Sequence, residues 1–194
     1  MNYNPLLLRP VGKDYLWGGT KLKENYYKDI PMEPLAETWE CSTHPDGPSI
    51  VASGEYAGKG LDEVIKLHPE WLGSRYEGQN ELPVLIKFID AAKDLSVQVH
   101  PDDEYALVHE KQLGKTEMWY VLEAELGAGL IYGFTRDVTK EKLLKSMQEG
   151  KFLKHLQQVP VHKNDVFFVK PGTVHAIGGG VIVAEIQENS NVTY

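Results

Sequence analysis

A glutamine, two histidines and a glutamate in this sequence have the residue types and the spacing of metal ligands. Gln98 and His100 are separated by a single residue, Val99, in a segment where apolar and polar residues alternate. On an extended strand this spacing points both side chains to the same side. Glu117 opens an aromatic segment, and His175 follows a Pro-Gly turn. Two imidazoles, a carboxylate and an amide oxygen suit a divalent cation, and a catalytic zinc ion keeps an open position for water or substrate.

These four residues are far apart in the sequence, so only a fold that joins several strands can bring them together. Glu117 follows His100 by 17 residues, and His175 follows Glu117 by 58. Neighbouring strands of an antiparallel barrel would place such residues side by side. A single histidine on a strand is more often packed or exposed than a ligand. Among the remaining histidines only His44, which a turn holds, is a further site candidate.

The rest of the sequence predicts short strands separated by turns rich in glycine and proline. Strands are expected at residues 6–10, 36–42, 84–89, 95–100, 117–122, 166–169, 173–177 and 181–188. Helices are expected at 61–67, 102–110 and 139–149, the last with Thr139 as N-cap and an apolar stripe of Leu143, Leu144 and Met147. Residues 178–180, all glycine, predict a hairpin turn rather than a phosphate loop, because no Lys-Ser/Thr pair or helix follows. This pattern favours a mainly β fold, a jelly roll or β-barrel with a few short helices.

Composition and charge argue against several classes of protein. The formal net charge is −8, from 20 basic and 28 acidic side chains, which argues against broad nucleic-acid binding. No run approaches the roughly 18 apolar residues of a membrane-spanning helix, and residues 1–5 lack the basic and apolar regions of a secretion signal. The single cysteine, Cys41, has no partner for an internal disulfide, so a reducing, cytoplasmic setting is expected.

Longer strings of residues resemble one protein family over nearly the whole chain. The most specific are LSVQVHPDD at 95–103 and KTEMWY at 115–120. They are accompanied by LWGG at 16–19, AETWE at 36–40, STHPDG at 42–47, LPVLIK at 82–87 and GTVHAI at 172–177. On these strings the sequence resembles the type I phosphomannose isomerases of the short bacterial kind, which belong to the cupin superfamily.

The resemblance implies an activity and a role for each candidate residue. The activity is the interconversion of mannose 6-phosphate and fructose 6-phosphate by proton transfer between C1 and C2. One zinc ion per chain would be bound by the residues that match the family's ligands, namely Gln98, His100, Glu117 and His175. Lys115 matches a lysine of the substrate pocket, and its ammonium group is expected to act on the developing oxyanion. The partner is then a small sugar phosphate.

The resemblance also sets an expectation about domain organisation. Residues 1–194 correspond to the N-terminal, catalytic cupin part, and the family's C-terminal cupin-like part is absent. The chain stops at Tyr194, one residue before an arginine that the family uses in catalysis. If the missing part normally covers one side of the core, the apolar surface left exposed would favour association, and a homodimer is compatible with it.

Three hypotheses about function therefore remain open. The first is a zinc-dependent isomerase. The second is a metal-binding cupin module without catalytic activity, motivated by the missing arginine. The third is an iron-dependent cupin oxygenase, because two histidines and a glutamate also suit iron, although Gln98 and the family strings weigh against it. Residues expected to assist include the possible phosphate contacts Ser42, Thr43, Lys87 and Lys170, and Asp102 and Asp103 as residues that begin a helix and orient His100.

Overall fold

The computed structural model describes residues 5–194, and most of the regular structure is β-strand. Residues 1–4, on which much of the expected lack of a secretion signal rests, lie outside the described residues. The strands are β1 (Leu8–Arg9), β2 (Val11–Lys13), β3 (Glu37–Cys41), β4 (Ile50–Val51), β5 (Val84–Ala91), β6 (Glu117–Ala124), β7 (Gly129–Phe134), β8 (Leu156–Pro160), β9 (Val166–Val169), β10 (His175–Ile177) and β11 (Val181–Glu188). The α-helices are α1 (Lys21–Glu24), α2 (Leu61–Leu67), α3 (Asp103–His109) and α4 (Lys140–Gln148). The prediction of a mainly β fold with short helices is confirmed.

The strands form antiparallel sheets, of which two build the central sandwich. The larger has six strands in the order β2-β3-β5-β11-β6-β9, and the smaller has three in the order β10-β7-β8. A separate pair joins β1 to β4. Strand β11 is hydrogen-bonded to β5 on one side and to β6 on the other, so it lies in the interior of the larger sheet. A side chain of β11 is therefore held by neighbours on both sides.

The main hydrophobic core lies between the larger, six-stranded sheet and the smaller, three-stranded sheet. Alternate residues of β5, β6 and β11, such as Ile89, Val121 and Val183, are buried and pack in one cluster with Leu130 of β7 and Ile177 of β10. Alternation on each strand places these residues on one face, as expected for packed antiparallel sheets. The opposite face of the larger sheet is covered near α1, where Leu22 and Leu35 pack on Ile182.

The three predicted helices are present, and side chains cap two of them. The Asp102 side chain accepts a hydrogen bond from the backbone N–H of Tyr105 at 2.8 Å, and Thr139 accepts one from Lys142 at 3.4 Å. The apolar stripe of α4 is less buried than its spacing suggests. Leu144 and Met147 are about half exposed, and the buried residue of this helix is Ser146.

The predicted strand at 95–100 is wrong as a continuous strand. The segment is extended, but its only bridge pairs Gln98 with His175. The reason is that its hydrogen bonds to β10 are interrupted: the N–H of Leu95 donates to Ile177 and Gln98 exchanges hydrogen bonds with His175, with none between them. Val99 then exchanges hydrogen bonds with Tyr194 instead, so the described residues form no continuous ladder. Two strands of the smaller sheet, β7 and β8, have no counterpart among the predicted strands.

The prediction of a hairpin at residues 178–180 is also wrong. These glycines connect β10 of the smaller sheet to β11 of the larger one, so the flanking strands do not pair with each other. Gly178 passes so close to the backbone of Gly129 that a Cβ would overlap its carbonyl oxygen, and Gly180 has φ +85°. Glycine is required at residue 178 because there is no space for a Cβ, and glycine is favoured at residue 180 because other residues rarely adopt a positive φ.

No helix of residues 5–194 combines the length and the apolar character that crossing a membrane would require.

A matched pair of leucine substitutions tests the sandwich core. Leu130→Ala should lower the free energy of unfolding by about 2–5 kcal/mol, because the buried side chain leaves a cavity between the sheets. Leu126→Ala, in the turn between β6 and β7, should change it by less than about 0.5 kcal/mol, because that side chain is fully exposed. Urea denaturation measures both, and equal effects would contradict this assignment of the core.

Candidate metal centre

One strand from each of the two main sheets and one extended segment bring His100, Glu117 and His175 together. Glu117 is the first residue of β6 in the larger sheet, and His175 is the first residue of β10 in the smaller sheet. His100 ends the extended segment that runs beside β10. All three side chains are buried, and one potential ligand atom from each lies within 4.8 Å of the others. This convergence agrees with what the sequence predicts for these three residues.

The facing atoms of the trio are close to van der Waals contact. Nε2 of His100 and Nε2 of His175 are 3.1 Å apart. Nε2 of His175 is 3.2 Å from Oε1 of Glu117, and Nε2 of His100 is 3.4 Å from Oε2 of the same carboxylate. Both carboxylate oxygens are buried and have no hydrogen-bond partner in the described part of the chain.

Backbone carbonyls fix the tautomer of each imidazole. Nδ1 of His100 lies 3.0 Å from the carbonyl oxygen of Val192, and Nδ1 of His175 lies 2.8 Å from that of Thr173. A carbonyl only accepts, so each Nδ1 carries the proton and donates it. In the neutral ring Nε2 then presents a lone pair to the centre, which is the arrangement typical of a metal-bound histidine. The trio is thus a set of buried acceptors, and its chemistry fits a bound cation.

The protonation states agree with this assignment. Burial would raise the pKa of Glu117, but the pKa is lowered overall, and the Lys115 ammonium group 2.9 Å from Oε2 is the cause that agrees with inward-facing Nε2 lone pairs. Burial lowers the pKa of His100. Glu117 is therefore an anion and His100 a neutral ring at neutral pH, the forms in which both bind metals.

Backbone hydrogen bonds with His175 place Gln98 next to the trio. Its N–H donates to the carbonyl of His175 at 2.9 Å, and the N–H of His175 donates to the carbonyl of Gln98 at 2.9 Å. Residues that exchange both hydrogen bonds in this way are directly opposite, and their side chains extend to the same face. This places Gln98 beside His175, and its role as a fourth ligand remains a prediction.

Lys115 lies on the other side of the carboxylate. Its Nζ is 2.9 Å from Oε2 of Glu117 and 3.6 Å from Oε1 of Glu185, and its side chain is buried. The backbone N–H of Lys115 donates to the carbonyl of Pro101, which fixes the entry to β6 close to the segment that carries His100. The ammonium group is therefore placed beside the candidate ligands, as the family resemblance implies.

A row of buried charges that the sequence analysis did not predict continues from Lys115 across the larger sheet. Lys87 on β5 lies 3.3 Å from Oε1 of Glu185 on β11 and 3.6 Å from Oε2 of Glu37 on β3. Strand register causes this proximity, because Lys87 pairs with Glu185. Burial would lower the pKa of Lys87, but Glu185, Glu37 and Glu117 raise it above its usual value, so the ammonium form is retained.

A sequence signal for this row exists in β11. Glu185 and Gln187 lie on the same face of β11 as Val181 and Val183, which are buried in the core. Polar or charged residues on the apolar face of a strand indicate either a buried polar network or an exposed end of the sheet. The strand pattern alone does not distinguish these two.

The assisting residues expected from the sequence have mostly structural contacts. The Ser42 hydroxyl accepts a hydrogen bond from the N–H of His44, and the Thr43 hydroxyl accepts one from that of Leu82. Lys170 is exposed. The expectation that Asp102 and Asp103 orient His100 is not met by their described hydrogen bonds: Asp102 caps α3, and Asp103 accepts from the N–H of Gly114.

His44 is buried outside the ligand trio. Its ring lies edge-on to Trp39 at 5.7 Å between centroids, and burial lowers its pKa. It lines a cavity of about 630 Å³ whose other walls include Val192 and Thr193. Val192 therefore contributes to the wall of this cavity and also accepts the hydrogen bond from Nδ1 of His100.

Known proteins resemble this chain in both sequence and fold. Residues 6–125 match the family described as phosphomannose isomerase type I, catalytic domain. The probable mannose-6-phosphate isomerase GmuF of Bacillus subtilis (strain 168) is 44% identical over 192 residues, covering 98% of this chain and 60% of its own length. The crystal structure of the mannose 6-phosphate isomerase from Bacillus subtilis has a TM-score of 0.93 at 39% identity and covers 99% of this chain.

A more distant solved structure, a mannose 6-phosphate isomerase bound with zinc and yttrium, shares the fold. Its TM-score is 0.73 at 20% identity, covering 96% of this chain and 68% of that one. This chain spans about 60% of the length of the two Bacillus subtilis proteins. Since the family match extends over more than half of the chain and the fold agrees nearly from end to end, this chain belongs to the type I phosphomannose isomerase family and has its cupin fold.

Proposed function

We propose that this chain is a zinc-dependent aldose–ketose isomerase that interconverts mannose 6-phosphate and fructose 6-phosphate. The observation that carries the proposal is the convergence of buried acceptor atoms from His100, Glu117 and His175. Gln98 is the fourth ligand in this proposal, because its backbone pairing sets it beside His175. Family membership and the names of the matched relatives support the choice of substrate.

Zinc is favoured by the donor set. Zinc accepts nitrogen and oxygen ligands and is tetrahedral in most protein sites, with an open position in catalytic ones. A solved relative of the same fold was bound with zinc. When bound, a zinc ion supplies Lewis-acid polarisation of a substrate oxygen. The chain contributes two imidazoles whose tautomers are already fixed and one carboxylate that is already ionised.

The proposed reaction moves one proton between carbons and one between oxygens, and it keeps the substrate's composition unchanged. In the direction of fructose 6-phosphate, the C2–H bond breaks and a C1–H bond forms, so C2 is oxidised and C1 reduced within one molecule. The hydroxyl proton leaves the C2 oxygen, and the C1 oxygen, on which negative charge develops, gains a proton. In this proposal the ammonium group of Lys115, which lies beside Glu117, stabilises the C1 oxygen, donates a proton to it and regains a proton from the C2 hydroxyl.

The charge of the buried cluster favours an anionic substrate once a divalent cation is bound. The three carboxylates of Glu37, Glu117 and Glu185 with the two ammonium groups of Lys87 and Lys115 give a net charge of −1. A divalent cation changes this to +1. A sugar phosphate is then attracted to the site rather than repelled.

The domain assignment belongs to the same proposal. The Bacillus subtilis relatives are longer than this chain, which covers 60% of each. Residues 1–194 would then be the N-terminal catalytic part of such an isomerase. The partial coverage also favours a second candidate, a metal-binding cupin module without isomerase activity, and the two are separated below.

Substitution of a ligand tests the metal centre. The purified chain, reconstituted with zinc and desalted, should hold about one zinc per chain. His175→Ala should weaken zinc binding by more than about 100-fold, because loss of a ligand costs more than loss of an outer contact. His162→Ala, which alters an exposed histidine, should leave the zinc content unchanged. Elemental analysis measures all three, and a reconstituted chain without zinc would contradict the proposal.

Substitution of Lys115 tests the catalytic assignment. Lys115→Met should lower kcat for mannose 6-phosphate by about 100- to 10,000-fold, because it removes the proton donor while the metal ligands remain. Lys145→Met, on the exposed face of α4, is the matched control and should keep normal activity. A coupled assay for fructose 6-phosphate measures turnover, which a chelator should abolish in the unchanged chain. Bound zinc without any turnover in the unchanged chain would support the non-catalytic module instead.

A further inference from the structure

Glu185 lies between the two buried ammonium groups of the site. Its Oε1 is 3.3 Å from Nζ of Lys87 and 3.6 Å from Nζ of Lys115. Oε1 has no hydrogen-bond partner in residues 5–194, although both ammonium groups are within ion-pair distance. This carboxylate is therefore held by two charges at once, one in β5 and one at the start of β6.

The position of Glu185 is rigid because its surroundings are strands on both sides. It lies in β11, paired with Lys87 of β5 and with Trp119 of β6. Its second oxygen, Oε2, accepts a hydrogen bond from the indole N–H of Trp119 at 3.2 Å. The side chain is buried, so water does not compete for these contacts.

Glu185 affects the site through Lys115 because Glu117 is both the ion-pair partner of Lys115 and a candidate metal ligand. Among the described residues, the carboxylates of Glu117 and Glu185 are those within 4 Å of the Lys115 ammonium group. A cation bound at the trio would be coordinated by the carboxylate of Glu117. An ammonium group of Lys115 that stays bound to the same carboxylate would compete with that cation for it. Glu185 offers this ammonium group a second carboxylate, 3.6 Å away, when a cation occupies Glu117.

We propose that Glu185 is a positioning residue that holds Lys115 beside the metal centre and limits its competition with the cation for Glu117. The inference rests on the proposed function for the identity of the cation site. It adds a residue that makes no hydrogen bond or ion pair with the ligand trio in residues 5–194 and acts through Lys115.

Glu37 provides a matched control in the same row. Its Oε2 accepts a hydrogen bond from the indole N–H of Trp39 at 2.8 Å and lies 3.6 Å from Nζ of Lys87. It is buried like Glu185, and it has the same kinds of partners, an indole and a lysine. It makes no ion pair with Lys115 in the described chain. A structural effect of removing a buried carboxylate should appear at both residues, whereas coupling to Lys115 should appear only at Glu185.

The test is a double-mutant cycle with Co²⁺ alone as the probe, read from its visible absorption during titration. Glu185→Gln keeps the shape of the side chain and removes its charge, and it should weaken Co²⁺ binding by about 10-fold. In the Lys115→Met background the same change should cost less than about 3-fold, since no ammonium group remains to compete for Glu117. Glu37→Gln should have equal effects in both backgrounds.

Equal losses for Glu185→Gln with and without Lys115 would overturn the positioning role. Coupling of the same size at Glu37→Gln would overturn it as well, because the effect would then belong to the whole row. If Glu185→Gln is too unstable to purify, Glu185→Gln with Lys87→Met, which removes the opposite charge too, takes its place in the cycle.

The cycle separates this inference from the proposed function. Cobalt binding with the expected coupling but without turnover of mannose 6-phosphate in the unchanged chain would support the positioning role and overturn the isomerase assignment. Turnover together with additive losses of Co²⁺ affinity would overturn the positioning role alone.

Discussion

Three lone-pair-bearing groups buried within about 3 Å of one another repel each other, and a cation among them offsets this repulsion. The centre formed by His100, Glu117 and His175 has this character, because both rings donate from Nδ1 to the backbone and both turn Nε2 inward. The only described ammonium group that reaches the trio is that of Lys115, at its edge. This arrangement favours a cation at the trio independently of any family relationship.

Near this centre the larger sheet buries charged side chains at positions where its core elsewhere contains aliphatic ones. Towards one end of the sandwich the inward positions are Ile89, Val121 and Val183, and towards the other they are charged. Each buried carboxylate of the row has an ammonium neighbour, and Glu37 and Glu185 also accept an indole N–H. Removing one member leaves its partner buried and unpaired, so the row behaves as a unit.

Much of the fold and most of the centre were predictable from the sequence because their signals are local. The caps of α3 and α4 stand at Asp102 and Thr139, and the alternation of β11 follows from its residues. The candidate trio was predictable because its residue types suit a metal and because the surrounding strings resemble one family. The fourth ligand, Gln98, and the catalytic role of Lys115 stay predictions.

What could not be predicted depends on partners far away in the sequence. Residues 95–100 alternate like a strand, yet their hydrogen bonds are divided between Ile177, His175 and Tyr194. The glycines at 178–180 resemble a hairpin turn locally, but the flanking strands enter different sheets. The charge row depends on register between β3, β5 and β11, which the sequence of each strand does not specify.

The hydrogen bond from His100 to Val192 has a thermodynamic consequence for the last residues of the described chain. Val192 belongs to the same short stretch as Tyr194, which exchanges two backbone hydrogen bonds with Val99. Order in this stretch therefore favours the ring form suited to a cation, and a cation bound there would stabilise the ordered stretch by linkage. A molecule that bound in the cavity lined by Asn191 to Tyr194 and changed the order of this stretch would then also change the affinity for that cation.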